Sequence, residues 1–139
     1  FTPDGGSLLV SADNGSVMRL DLKTAALTTV LQPANSQSGQ LRNAEVSPDG
    51  KWLLASNRIT QNSIRVLAVL PSGELRDHKE ITVGKIPRNF QFDPSGRYVY
   101  VASQGENRIQ KFAFKDGELT DMHEDIEVKQ PVAILFLKK

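Results

Sequence analysis

The chain has no cysteine, so disulfides, thiolate nucleophiles and cysteine-built zinc sites are excluded. Its two histidines, His78 and His123, are too few for a histidine-built metal centre, and no cofactor is expected. No apolar run approaches the roughly 18 residues that cross a bilayer as a helix, so no membrane partner is expected. An excess of one charge is missing as well: 17 Lys and Arg face 16 Asp and Glu, a formal charge of +1. A nucleic-acid binder held by a dense basic field would be far more lopsided, so no nucleic-acid partner is expected either. Capped stretches of 3.6-residue periodicity are absent, which predicts almost no helix. There is no Gly-x-Ser-x-Gly elbow, no phosphate loop and no His-Glu-x-x-His, so serine-hydrolase and zinc-peptidase mechanisms lack their motifs. What remains is an ordinary globular composition, 39% apolar and 24% charged over 139 residues, about one domain in size.

Three stretches align without gaps. Phe1-Thr-Pro-Asp-Gly-Gly-Ser-Leu-Leu-Val-Ser-Ala-Asp13 matches Val46-Ser-Pro-Asp-Gly-Lys-Trp-Leu-Leu-Ala-Ser-Asn-Arg58 and Phe92-Asp-Pro-Ser-Gly-Arg-Tyr-Val-Tyr-Val-Ala-Ser-Gln104. Their prolines, Pro3, Pro48 and Pro94, lie 45 and 46 residues apart, a period typical of stacked supersecondary units. Pro-Asp-Gly or Pro-Ser-Gly makes a tight turn, because Pro presets φ and Gly accepts a positive φ. A short strand precedes the turn, at 42–47 and 88–93. An apolar run comes after it, at 52–55 and 98–102, as in a strand buried on both faces. A third strand is predicted at 17–22, 63–70 and 108–115, where β-branched and aromatic residues gather. A more polar fourth strand is predicted at 27–31, 74–83 and 118–128, entered through the turns Pro71-Ser72-Gly73 and Lys115-Asp116-Gly117.

Four antiparallel strands per repeat, graded from buried to polar, make the blade of a β-propeller. A sandwich of about twelve strands is the competing all-β arrangement, but it needs no such register-perfect repetition. The expected organisation is a partial propeller. It has an incomplete blade over residues 1–40, blades over 41–84 and 85–129, and a closing C-terminal strand over 131–138. The chain opens in the middle of a repeat, and propellers typically have four to eight blades. It is therefore expected to be a piece of a longer ring whose N-terminal blades are its structural partners. Alone, it should be inactive and prone to associate through uncovered sheet faces.

In such a blade the first strand begins, and the second ends, at the same rim beside the central channel. Six residues before each turn proline stand Arg42 and Arg88; ten residues after stand Asp13, Arg58 and Gln104. All five are polar or charged, and the last three come directly after apolar runs. A guanidinium donates planar, bidentate hydrogen bonds and suits phosphate or carboxylate. A rim is solvated and polar in any case, so spacing alone leaves a purely structural role open. His78 and His123 fall on outer strands, away from the channel. The acidic stretch 118–127 lacks calcium-loop spacing and reads as a charged outer edge. Asp4 and Asp49 belong to the turns.

Ser47–Arg58 with Asn62-Ser63-Ile64, Ile86–Gln104, and the ending Pro131-Val-Ala-Ile-Leu-Phe136 together resemble the late blades of the lactonase family of seven-bladed propellers. That family contains 6-phosphogluconolactonase and the fungal carboxymuconate lactonising enzyme. The resemblance covers nearly the whole chain, about the last 40% of a full member. The Pro-Asp-Gly turn is shared by many propellers; the ordered rim residues and the terminal strand are more specific. The resemblance implies a glutamate, an arginine and often a glutamine on successive late blades, where this chain has Asp13, Arg58 and Gln104. Asp13 departs from the pattern by one methylene, a reach shorter by roughly 1.5 Å. It further implies metal-free hydrolysis of a sugar lactone, 6-phosphogluconolactone of the pentose phosphate pathway, in the cytoplasm. Asp13 would be the base, Arg58 the electrostatic stabiliser, and Arg42, Arg88 and Gln104 substrate contacts. The alternatives are a non-catalytic propeller binding a ligand or protein at this rim, and a muconate cycloisomerase-like enzyme.

Overall fold

The computed structural model describes residues 2, 5–12, 16–31, 41–58 and 61–137. Among the described residues, twelve strands form three antiparallel sheets. The first sheet is β1 (Ser7–Ser11), β2 (Val17–Asp21) and β3 (Leu27–Leu31). The second is β4 (Leu41–Val46), β5 (Trp52–Asn57), β6 (Ser63–Val69) and β7 (Leu75–Thr82), in that order. The third is β8 (Pro87–Phe92), β9 (Tyr98–Ser103), β10 (Arg108–Lys115) and β11 (Glu118–Asp121), with β12 (Ile126–Glu127) also paired to β10. Each sheet is one blade; β4, the first strand of the second blade, neighbours β8, the first strand of the third, and β1, the second strand of the first. The sheets do not close on themselves; the architecture is a partial β-propeller.

The turn before each second strand is closed twice. Gly5, Gly50 and Gly96 adopt φ of +69°, +73° and +70°. Their N–H groups donate to the carbonyls of Thr2, Ser47 and Asp93 at 2.8, 2.8 and 2.9 Å. The side chains of Thr2, Ser47 and Asp93 then accept the N–H of Ser7, Trp52 and Tyr98 at 3.0, 3.0 and 2.9 Å. Three different residue types serve here because each offers a short-range side-chain oxygen. Asp49 also serves the turn, accepting the Lys51 N–H at 3.1 Å and the Ser47 hydroxyl at 2.6 Å.

The continuous apolar run of a second strand results from burial on two sides. Successive side chains point to opposite faces. Leu53 and Ala55 of β5 pack with Val17, Leu31 and Leu41 toward the first blade. Leu54, between them, packs with Phe90, Phe92, Val99 and Val101 toward the third. Burial then fades outward, and the central residues of β7, Arg76 to Glu80, are exposed.

Adjacent inner strands are not joined by a ladder; side chains latch them. Asn43 Nδ2 donates to the Phe90 carbonyl at 3.1 Å, and the Phe92 N–H donates to Glu45 Oε2 at 3.1 Å. Asn89, one repeat after Asn43, accepts the Ile134 N–H at 2.9 Å. Residues 131–137 lie beside the third blade without joining a ladder, and Phe136 meets Tyr100 edge-on at 5.4 Å. The fourth strand expected over 118–128 is interrupted. His123 takes a φ of +54°, which splits it into β11 and β12, while the Met122 N–H still donates to Lys111 O at 3.0 Å. A period-two reading does not register such a left-handed residue. Among the described residues, no helix is long and apolar enough to cross a membrane.

Burial pushes the Glu45 carboxyl up to about 7, against the pull of the Phe92 N–H. The folded value exceeds the unfolded one, so the stability it contributes is full below about 4.5 and is lost as pH rises through about 7. Urea denaturation should therefore show stability falling between pH 5 and pH 8. Glu45→Gln, which keeps the acceptor and removes the proton, should flatten that slope. An unchanged slope in the variant would assign the pH dependence to another group.

Candidate functional site

Arg42 and Arg88 occupy equivalent β-bulges. Leu41 pairs with Asn57 and Asn43 with Ser56, which leaves Arg42 as the extra residue of β4. Pro87 pairs with Ser103 and Asn89 with Ala102, which leaves Arg88 as the extra residue of β8. A bulge locally redirects the strand and its side chain. Arg58 comes directly after β5, and Gln104 directly after β9 in a single 3-10 turn, Gln104–Glu106. Arg42, Arg58, Arg88 and Gln104 therefore lie at the same end of two adjacent blades. Asp13 lies outside the described residues.

The three arginines feel one another. Burial, then the charges of Arg88 and Arg42, hold the Arg58 guanidinium below its ordinary value. A guanidinium stays cationic well above neutral pH, so three positive charges persist at this rim. Among the described residues, no carboxylate forms an ion pair with Arg58 or Arg88. The nearby acid Glu106 is engaged elsewhere: Arg108 donates to its Oε2 from Nε at 2.8 Å. Burial alone would raise Glu106, but the Lys85 N–H and Arg108 outweigh it and hold it below the usual range.

Backbone contacts fix the loops that carry these groups. The Gln104 and Gly105 N–H groups donate to the carbonyls of Ile86 and Lys85 at 3.0 and 2.9 Å. Behind them, Gln110 Oε1 is buried and accepts the Gly84 N–H at 2.6 Å and the Ser103 hydroxyl at 3.0 Å. The residues that sequence reasoning passed over are Ile86 and Asn62. The Ile86 N–H donates to Asn62 Oδ1 at 2.8 Å, and both residues have positive φ, +53° and +48°. Asn often enters that region, but nothing in a β-branched Ile signals it.

The histidines sit elsewhere. His78, on β7, rests against Trp52 with ring centroids 4.8 Å apart and lies 3.4 Å from Glu118 of the third blade. It is an inter-blade contact rather than a merely solvated side chain. His123 is exposed between β11 and β12. Two clefts, of about 700 and 340 Å³, open at the opposite rim around Arg19, Gly73 and Leu75. The larger mixes both charge signs, the smaller sets Arg19 among mostly apolar walls, and neither has an equivalent of the three-arginine field. Among the described residues, no group of three or more His, Asp and Glu is placed to hold a metal ion.

Comparison with known proteins agrees with the propeller fold. A family profile described as "Lactonase, 7-bladed beta-propeller" matches residues 4–136. A curated 6-phosphogluconolactonase of Formosa agariphila is 39% identical over 89 residues, covering 60% of this chain and 25% of its own. A crystal structure from Bacteroides uniformis, provisionally described as a 6-phosphogluconolactonase, superposes with a TM-score of 0.89 at 31% identity. The match covers 99% of this chain and 42% of that one. The periplasmic gluconolactonase of Pseudomonas aeruginosa gives 0.81 at 30% identity, over 99% of this chain and 41% of that one. The chain thus spans about a quarter of the curated relative and two fifths of these structures.

Gly105 marks a close approach of the two rim loops. A Cβ there would sit 2.9 Å from Lys85 Cβ and 3.0 Å from the Lys85 carbonyl oxygen. Gly105→Ala must push backbone against backbone, and a destabilisation of about 1–3 kcal/mol is expected in urea unfolding. An unchanged midpoint would show that the loops yield freely.

Proposed function

The chain belongs to the lactonase family of seven-bladed β-propellers, and on that premise we propose that it forms the late blades of a ring that hydrolyses a phosphorylated sugar lactone, 6-phosphogluconolactone. The observation that carries the reading is the shared field of Arg42, Arg58 and Arg88 at one rim. Three guanidiniums at one rim repel one another, though solvent screens much of that repulsion. A dianionic phosphate relieves that repulsion and accepts several charge-assisted hydrogen bonds. A neutral sugar lactone would supply no such charge.

In this reading the substrate spans the rim, its phosphate toward Arg42, Arg88 and Gln104 and its carbonyl toward Arg58. The Asp13 carboxylate takes a proton from water as the water oxygen bonds to the carbonyl carbon. Arg58 stabilises the negative charge that develops on the carbonyl oxygen. The ring C–O bond then breaks, its oxygen takes the proton that Asp13 holds, and the open acid leaves with the Asp13 carboxylate restored. Asp13 is one methylene shorter than the glutamate the family pattern implies. A phosphorylated substrate favours a cytoplasmic enzyme, whereas the Pseudomonas relative is by description periplasmic.

The test uses the complete ring. Arg58→Ala should lower lactonase turnover at least a hundredfold, the scale of losing one oxyanion donor. An unchanged rate would remove Arg58 from the mechanism. Preference for the plain lactone would move the assignment toward a periplasmic gluconolactonase. Turnover of neither lactone would favour a muconate cycloisomerase-like enzyme or a propeller that only binds at this rim.

A further inference from the structure

The loop that leads into Arg88 contains a strained residue that two partners hold in place. Ile86 is β-branched, sits at a φ of +53° and precedes Pro87. Each of those features disfavours the conformation, at a scale of 1–3 kcal/mol for such an outlier. Its N–H donates to Asn62 Oδ1 at 2.8 Å, and its carbonyl accepts the Gln104 N–H at 3.0 Å. Asn62 is itself anchored, because its carbonyl accepts the Val83 N–H at 2.9 Å. One side-chain amide in the second blade therefore holds the backbone two residues before Arg88.

The molecule contains the same device a second time. Asn107 has a φ of +54°, its carbonyl accepts the Val128 N–H at 3.0 Å, and its Oδ1 accepts the Gln130 N–H at 3.0 Å. Gln130 has a φ of +48° and precedes Pro131. The two copies differ in the residue after the proline: Arg88 in one, Val132 in the other. The latch is thus a general way to lead the chain from one blade into the next, and in one copy an arginine of the cationic rim has been placed on it.

We propose that Asn62 is a positioning residue for Arg88, fixing where that guanidinium meets the anionic group of the substrate. The proposal rests on the reading of the rim as a phosphate site. It predicts a role in binding rather than in bond breaking, since Asn62 acts through backbone. Asn107 performs the same structural work with no arginine attached.

The experiment compares Asn62→Gly with Asn107→Gly in the complete ring. Glycine keeps the left-handed conformation and removes only the side-chain acceptor. Both variants should lower the thermal midpoint by a similar few degrees. Asn62→Gly alone should raise KM for the phosphorylated lactone about tenfold, one lost well-aligned contact, while kcat changes less than twofold. Activity on the plain lactone should stay near that of the parent. Asn62→Asp, which retains an acceptor and tolerates positive φ, should restore KM to within about twofold. Equal effects of the two glycine variants on the ratio of phosphorylated to plain lactone, or no effect of Asn62→Gly, would overturn the proposal. Should the parent ring hydrolyse neither lactone, calorimetric titration with inorganic phosphate separates the two questions. Phosphate binding weakened about tenfold by Asn62→Gly but not by Asn107→Gly supports the positioning role. Equal affinities, or no phosphate binding in the parent, overturn it.

Discussion

Each blade is held by its neighbours, because its second strand is apolar on both faces. β5 sends Leu53 and Ala55 one way and Leu54 the other, and all three are fully buried. A single sheet with two apolar faces cannot satisfy both alone. Burying one such leucine is worth about 2 kcal/mol, and only a blade on each side supplies it. The same requirement fixes register. A slip of one residue would exchange the two faces of β5 and spoil both interfaces at once. Rim residues inherit that precision: Arg58 and Gln104 stand where they do because the buried strands before them cannot slide.

The rim works against a general preference. Like charges are usually dispersed, yet Arg42, Arg58 and Arg88 share a field, and Arg58 is partly desolvated within it. The scaffold bears this because the arginines hang from positions the core does not use. Two are extra residues in bulges, and the third comes just past the end of a strand. A bulge adds a residue without disturbing the ladder on either side.

Much of this was legible in the chain. Period-two strands, Pro-x-Gly turns and a 45-residue repeat are local signals, and they yielded the blades and the slots of Arg42, Arg58, Arg88 and Gln104. What escaped were left-handed residues and contacts with distant partners, neither of which a local period registers. His123 breaks the outer strand by adopting positive φ. His78 looks like surface until Trp52 and Glu118 are brought beside it. Glu45 alternates correctly as a strand residue, but its role appears only when the edge of β8 arrives to donate the Phe92 N–H. Ile86 is the extreme case, since its own propensity opposes the geometry that Asn62 imposes.

The repeat also shows how chemistry is placed on such a scaffold. Equivalent slots keep their mechanical part and change their chemical part. Asn43 and Asn89 both latch the next inner segment. Asn62 and Asn107 both hold a residue before proline, while the position after it changes from arginine to valine. Thr2, Ser47 and Asp93 close one turn with three side chains. A mechanical slot constrains a hydrogen-bond acceptor at one distance, which few residue types meet. A chemical slot projects into solvent beyond the last buried layer, where substitution changes charge without touching the packing. The rim can therefore be re-equipped blade by blade, and its charge reports ligand chemistry more directly than the fold does.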